Sequence, residues 1–191
     1  MKRTILSANV VIIVLLVLSS LINAGLGRKV QLLQRELQTY ANKSSGANVI
    51  GMKLTDLNVK DIDGNPTKLD FTQTSTPTLI YVFRPTCGWC AKNLPNIKEL
   101  DRALHSNGKA RIIGVSLDDQ GLKQYVQGAQ LGFPVYRNVP DSDVVRLNIG
   151  GTPQTIMVSN ATIVHNWQGA YSGDNLKDIQ STFGVKLPGL P

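Results

Sequence analysis

Cysteine and histidine are scarce in this chain: its 191 residues hold two cysteines, Cys87 and Cys90, and two histidines, His105 and His165. A structural zinc site needs four such ligands, and the histidines are isolated from each other and from the cysteines, so zinc is not expected. Both histidines read as surface or hydrogen-bonded residues. No glycine-bearing loop spacing accompanies Asp118, Asp119, Asp141 and Asp143, which excludes a calcium loop and leaves them as caps and turn residues. Excess charge is lacking where a nucleic-acid surface would need it. Residues 1–47 hold six Lys/Arg and one Glu, and the remainder hold fourteen Lys/Arg against twelve Asp/Glu. Most of the formal +7 therefore lies ahead of residue 48. A nearly balanced remainder without a basic stripe argues against nucleic-acid binding.

Charge is absent altogether from Thr4 to Gly27. As a helix that run would measure about 36 Å, enough for a bilayer core of about 30 Å. It is read as a transmembrane anchor, residues 1–27; a cleaved signal peptide is the alternative, since Lys2 and Arg3 precede an apolar run ending in Ile22-Asn23-Ala24. Lys2 and Arg3 before the run stand against Arg28, Lys29 and Arg35 after it, so the charge rule alone does not orient the segment. Leu26, Val30, Leu33, Leu37 and Tyr40 follow four-three spacing. This predicts a short amphipathic helix, either coiled-coil-like or lying near the lipid headgroups. Asn42 to Ala47 reads as a linker, which closes a juxtamembrane segment at 28–47 and opens one ordinary domain at 48–191.

The domain is organised around Thr78 to Pro95. Leu79 to Phe83 is a short apolar run that reads as a buried strand, stopped by Arg84-Pro85-Thr86 because the residue before proline avoids the helical region. From Cys90, the residues Leu94, Ile97, Leu100 and Leu104 recur at helical spacing. Cys87 therefore sits where strand passes into helix, beside unpaired N–H groups and the positive end of the macrodipole. A free thiol has a pKa of about 8.5, and such a setting lowers it. Cys87 is expected to be the acidic nucleophile. Cys90, three residues on, is placed to attack a mixed disulfide on Cys87 and release the partner. A purely structural disulfide is the bland alternative, but closing so short a loop gains only about 2 kcal/mol in the chain-entropy treatment.

Along the rest of the domain, Leu57–Ile62 and Lys68–Phe71 flank Asp63-Gly64-Asn65-Pro66 and predict a β-hairpin at a sheet edge. Arg111–Leu117 suits a central parallel strand. Leu122, Tyr125, Val126 and Ala129 mark a helix packed on the sheet. Phe133 to Asn148 is expected to hold a short strand, then a short helix through Leu147 capped from Pro140-Asp-Ser-Asp143. Thr155–Val158, a turn at Ser159-Asn160-Ala161, Thr162–Trp167 and a final helix carrying Leu176, Ile179 and Phe183 complete the pattern.

From about Val49 to Phe183 the chain resembles the TlpA-like thioredoxin-fold family of membrane-anchored bacterial thiol-disulfide oxidoreductases, which includes reductants of cytochrome c biogenesis. Four landmarks carry the resemblance: a strand leading into Cys87-Gly-Trp-Cys90, Pro95 five residues past the second cysteine, Gly151-Thr152-Pro153 before a strand, and Gly169 after the last strand. The resemblance implies an α/β thioredoxin-like fold, a central mixed sheet flanked by helices with an N-terminal β-hairpin, preceded by one transmembrane helix. It implies Cys87 and Cys90 as the catalytic pair, and a cis Pro153 facing them so that Thr152 docks a client strand. It further implies client proteins with disulfides, a membrane or periplasmic electron donor, and a domain on the extracytoplasmic, periplasmic side of the membrane. No cofactor is implied. Trp89 replaces the usual proline and is either a client-recognition or a packing residue. The Pro-Thr-Cys-x-x-Cys variant also resembles disulfide proteins of methylamine dehydrogenase maturation, a second client class.

The chain departs from the family at two places. Thioredoxins carry an Asp six residues before the first cysteine, where Tyr81 stands, and TlpA-like reductants often carry a Glu three residues after the second, where Asn93 stands. With neither carboxylate to accept the Cys90 proton, resolution is expected to be slow at neutral pH, and Asn93→Glu is expected to accelerate it. A Cu(I) chaperone using the two soft thiolates and a redox-inactive adaptor are the rival functions.

Overall fold

A computed structural model of the chain describes residues 10–16, 18–19, 25–32 and 49–190. The chain divides into two compact units, Met1–Ala47 and Asn48–Pro191. In the first, the described residues are helical with exposed side chains such as Val10, Leu16 and Leu26. No helix among the described residues is long and apolar enough to cross a membrane. The rest of the expected 1–27 span, and the Leu33, Leu37 and Tyr40 positions of the juxtamembrane helix, lie outside the described residues.

The second unit is a seven-stranded mixed sheet with helices. Its elements are β1 (Asp56–Asp61), β2 (Pro66–Asp70), β3 (Thr78–Phe83), α1 (Gly88–Asn107), β4 (Arg111–Ser116), α2 (Leu122–Ala129), β5 (Val135–Arg137), α3 (Asp141–Arg146), β6 (Gln154–Ser159), β7 (Thr162–Gln168) and α4 (Gly173–Phe183). The sheet runs β2-β1-β5-β4-β3-β6-β7. β3, β4 and β5 are parallel, and the hairpins β1/β2 and β6/β7 are added antiparallel to either side. The expected N-terminal hairpin is therefore present, with β2 on the outer edge.

Strand β3 is buried at every position, and its period-two geometry divides it between two cores. Leu79, Tyr81 and Phe83 enter the layer that holds Ile97, Leu100 and Leu104 of α1 and Ile179 and Phe183 of α4. Ile80 and Val82 enter the opposite layer with Val115, Ile156 and Val158, closed over by Val49, Leu54, Phe71 and Leu147. Burying each such side chain contributes about 1.5–3 kcal/mol, so the strand that leads to Cys87 is clamped on both faces. A methyl group on Gly114 of β4 would come within 3.2 Å of the Phe83 ring and 3.1 Å of the Phe133 ring. Glycine at that position is what lets both aromatic rings close over the sheet.

Helix α1 stops at Gly108, which adopts φ 67° and returns its N–H to the Leu104 carbonyl at 2.9 Å. Pro95 lies inside α1 and lacks the N–H that would bond to the carbonyl of Ala91. One expectation needs correction. The short helix α3 is not capped by an aspartate side chain: its N-cap is Pro140, and Asp143 lies 2.7 Å from Arg146 within the helix. Pro140 holds an extended ψ of 142°, so the turn is set by the proline backbone. The β6/β7 turn comes as read, with Asn160 and Ala161 both at positive φ.

Candidate active site

The end of β3 delivers Cys87. Pro85 and Thr86 turn the chain, with the Cys87 N–H on the Arg84 carbonyl at 3.1 Å, and Cys87 becomes the N-cap of α1 in extended conformation. An N-cap side chain accepts from the first unpaired N–H groups of its helix. Here the acceptor is sulfur, 3.2 Å from the Cys90 nitrogen. Cys87 is half-buried, whereas Cys90 is fully buried in the core layer beneath. Both thiols are free.

The two thiols differ in acidity for reasons visible in these contacts. Burial works against ionising Cys87, but hydrogen bonds with the Cys90 and Thr152 side chains and from the backbone N–H groups of Cys90 and Trp89 outweigh it, so its thiol is held below the ordinary range. Burial acts on Cys90 more strongly. Together with the neighbouring Cys87 it pushes that thiol up to about 12, against weaker help from the Arg84 backbone and Thr152.

The loop before β6 completes the site. The Thr152–Pro153 peptide is cis, and the Thr152 carbonyl oxygen lies 3.3 Å from Cys87 Sγ. Pro153 is buried and its own carbonyl accepts the Gly169 N–H at 2.8 Å. The glycine that the sequence placed after the last strand thus braces the turn that faces the cysteines. Trp89 is 58% exposed, with the Lys92 ammonium 4.8 Å from its ring centroid. It does not pack into the core, and it presents an aromatic face beside Cys87.

Below the cysteines the helix is polar where it is buried. Asn93 and Asn96 are fully buried. Asn93 Oδ1 accepts from the Tyr171 N–H at 2.9 Å and from Asn96 Nδ2 at 3.1 Å, and Asn96 Oδ1 accepts from the Gly189 N–H at 2.8 Å. Tyr171 in turn shares a 2.8 Å hydrogen bond with Thr155 of β6. The sequence showed Asn93 only as a missing carboxylate; its work in tying α1 to the C-terminal segment comes from partners 78 or more residues away. Tyr125 of α2 was read as a packing residue, and it also reaches this pocket, its ring 5.4 Å from Phe83. No local sequence signal marks it.

The histidines lie elsewhere: His105 in the last turn of α1, and His165 stacked on Trp167 at 4.7 Å with Nδ1 3.8 Å from Asp178. Among the described residues there is no cluster of three or more His, Cys, Asp or Glu that could hold a metal ion.

The sequence profile of the AhpC/TSA family matches residues 50–166, which is more than half of the chain and includes both cysteines and the cis-proline turn. The chain belongs to the AhpC/TSA family. Its fold is the thioredoxin-like one expected, as three solved structures show. The thioredoxin domain of a thiol-disulfide oxidoreductase from Bacteroides vulgatus is 22% identical, with a TM-score of 0.56 over 72% of this chain and 99% of that one. A thiol:disulfide interchange protein from Bacteroides sp. is 22% identical, with a TM-score of 0.56 over 71% and 91%. A thioredoxin-family thiol:disulfide interchange protein from Chlorobium tepidum is 15% identical, with a TM-score of 0.56 over 72% and 99%. No curated protein matches the chain by sequence.

Proposed function

We propose that this protein is a membrane-anchored thiol-disulfide oxidoreductase that reduces disulfides of client proteins on the extracytoplasmic side of a bacterial membrane. The observation that carries the reading is the asymmetry of the pair: a half-exposed sulfur at a helix N-cap, favoured as thiolate, above a fully buried sulfur held as thiol. The names of the structural relatives support the same chemistry.

In the reaction the Cys87 thiolate attacks one sulfur of a client disulfide, forming a mixed disulfide and releasing one client thiolate. Cys90 then loses its proton, which the released thiolate takes up directly or through solvent, and its sulfur attacks Cys87 Sγ. The Cys87–Cys90 disulfide forms, the second client sulfur leaves, and two electrons have passed from protein to client. Thr152, at the cis turn facing Cys87, is the docking edge for the client backbone, and Trp89 is a contact for its side chains. The uncharged run from Thr4 to Gly27 supports the anchor, and the resemblance to membrane-tethered reductants supports the extracytoplasmic placement, with a membrane or periplasmic protein as electron donor. Cytochrome c maturation and maturation of periplasmic enzymes such as methylamine dehydrogenase are the client classes that the motif suggests.

Expressing Cys90→Ser in the source cell tests this. The mixed disulfide on Cys87 should persist, and its trapped partner names the client. Recovery of no mixed disulfide under conditions that preserve them, together with no reduction of insulin by the wild-type protein, would sink the reading. Tight stoichiometric Cu(I) binding without disulfide turnover would favour the copper chaperone instead.

A further inference from the structure

Four buried side-chain polar atoms among the described residues lack a hydrogen-bond partner, and three of them gather around Cys90: Tyr81 Oη, Asn93 Nδ2 and Tyr125 Oη. The fourth, Gln154 Oε1, belongs to an amide whose nitrogen is engaged with Asn166. Leaving one such group unpaired is costly, and native structures hold few of them. Three in one pocket need a reason.

Their placement is fixed by the elements that carry them. Tyr81 is on β3 and shares a sheet face with Phe83, their rings 5.7 Å apart, and Phe83 stacks on Tyr125 of α2 at 5.4 Å. Cys90 and Asn93 lie one turn apart on the buried side of α1, in the same core layer as Tyr81. Both lone-pair directions of the Asn93 oxygen are committed, to Tyr171 and to Asn96, so the amide cannot turn and its N–H groups face the other way. Asn93 is close enough to favour an ionised Tyr81, yet makes no hydrogen bond of good geometry with it. Negative charge on Cys90 is felt by both phenols, and Tyr125 also feels Cys87. Besides burial, the leading influences on these thiols and phenols come from one another, from Asn93, Thr152 and Tyr171, and from the backbone of Arg84, Trp89 and Cys90.

An amide N–H can only donate, and a protonated phenol donates to an anion. In the reduced, protonated site none of the three atoms has a partner of good geometry; a thiolate at Cys90 would be the strongest acceptor the pocket can offer them. We propose that Tyr81, Tyr125 and Asn93 form a donor pocket for the Cys90 thiolate, offering it hydrogen bonds, directly or through one water, at the moment it must form to resolve the mixed disulfide. The pocket takes no proton. It lowers the cost of the anion, while the proton leaves to the released client thiolate or to solvent. Hydrogen bonds to a charged group are worth about 1.5–3 kcal/mol, so loss of one donor corresponds to roughly a 10- to 100-fold loss in thiolate formation.

This rests on the oxidoreductase reading for its kinetic arm, and a second arm is independent of it. In full-length protein, single-turnover release of a model peptide from a Cys87 mixed disulfide is measured from pH 6 to 9 for wild type, Tyr81→Phe and Tyr125→Phe. Each variant should release about 10- to 100-fold more slowly, with the pH profile displaced upward, while in Tyr81→Phe the alkylation of Cys87 keeps its wild-type profile. The reduced Tyr81→Phe protein should melt no lower than wild type, because an unpaired hydroxyl has been removed. The second arm follows modification of Cys90 by a small methanethiosulfonate in a Cys87→Ser background, which should slow by a similar factor at fixed pH. If the wild type forms no mixed disulfide, the oxidoreductase reading fails and the second arm decides this inference alone. Unchanged release and unchanged Cys90 modification in both phenylalanine variants would overturn the donor pocket. Tyr125→Phe, on a partly exposed helix, keeps the test open if Tyr81→Phe does not fold.

Discussion

Cys87 Sγ lies 3.3 Å from the carbonyl oxygen of Thr152, 65 residues further along the chain. The contact joins the end of β3 to the start of β6, two strands that pair directly, so it is held by the sheet and not by a mobile loop. A rigid acceptor and two backbone N–H groups thus fix the reactive sulfur in one place. The surface around it is left to Trp89 and the cis turn. From that geometry, and from the burial beneath it, the following outcomes are expected.

Alkylation against pH should separate the two thiols. Cys87 should react with a midpoint below that of a free thiol, and Cys90 should remain protected until far higher pH, since burial and the Cys87 neighbour raise it to about 12. If Cys90 is the faster and more acidic thiol, the roles of nucleophile and resolving group are reversed.

The reduced protein should lose stability in alkali. Cys90 and Tyr125, each raised by burial to about 12, and Tyr81, raised still further, keep their protons in the folded state at pH values where the unfolded chain has lost them. For an acid whose folded pKa is raised, the stabilisation is full below the unfolded value and declines as pH rises toward the folded one. Cys90 therefore removes up to about 1.4 kcal/mol per pH unit between about pH 9 and 12, and the two tyrosines begin to do so only above about pH 10. Urea denaturation of the reduced protein at pH 7 and pH 10.5 measures this, and equal stability at both would contradict the burial argument. Cys87 acts in the opposite sense: its thiolate contributes above the unfolded thiol range and is lost as pH falls through its lowered value.

Trp89→Ala should separate binding from folding. The ring is 58% exposed and touches Lys92, not the core, so stability should change by about 0.5 kcal/mol or less. Reduction of a peptide or protein disulfide should weaken through KM, while reduction of a small-molecule disulfide should not. Equal effects on both substrates would assign Trp89 to setting the thiol and not to client contact.

The parts of this molecule legible in its sequence are those set by local rules. The period-two burial of β3, the three- and four-residue spacing of Ile97, Leu100 and Leu104, and the turn residues at Asp63-Gly64 each reflect a neighbour close in sequence. The cysteine pair was legible for the same reason, as N-cap and next turn. What was not legible depends on distant partners. Asn93 pairs with Tyr171 and, through Asn96, with Gly189; Tyr125 arrives from α2; Gly169 braces Pro153. Pro140 replaced an aspartate as the cap of α3 because a proline at the N-cap fixes the entry by its backbone, and composition favours the aspartates nearby.

Asn93 gives the sharpest revision. From the sequence, a glutamate at 93 should act as a base for Cys90 and accelerate neutral-pH resolution. The structure changes that expectation, because Asn93 is fully buried and its oxygen is the acceptor for the Tyr171 N–H and for Asn96. A glutamate is one methylene longer and carries a charge into a layer where no cation waits, so it would break both bonds before it could serve as a base. Asn93→Glu should therefore destabilise the domain, by about 3 kcal/mol or more given two buried donors left unpaired. Asn93→Ala should cost a similar amount through the same two donors without adding charge. The informative substitution is Asn93→Asp, which keeps the shape and one acceptor oxygen while exchanging the N–H donors for a second oxygen. If the carboxylate ionises it can take the Cys90 proton, and single-turnover release should accelerate near pH 7 with the profile displaced downward; general-base assistance spans about 10²- to 10⁴-fold. If burial keeps it protonated, it can still donate, and release should resemble wild type while thermal stability falls only slightly. A rate far below wild type with an intact fold would mean that the amide N–H donors are needed at 93 and that a carboxylate cannot stand in for them, either as base or as acid.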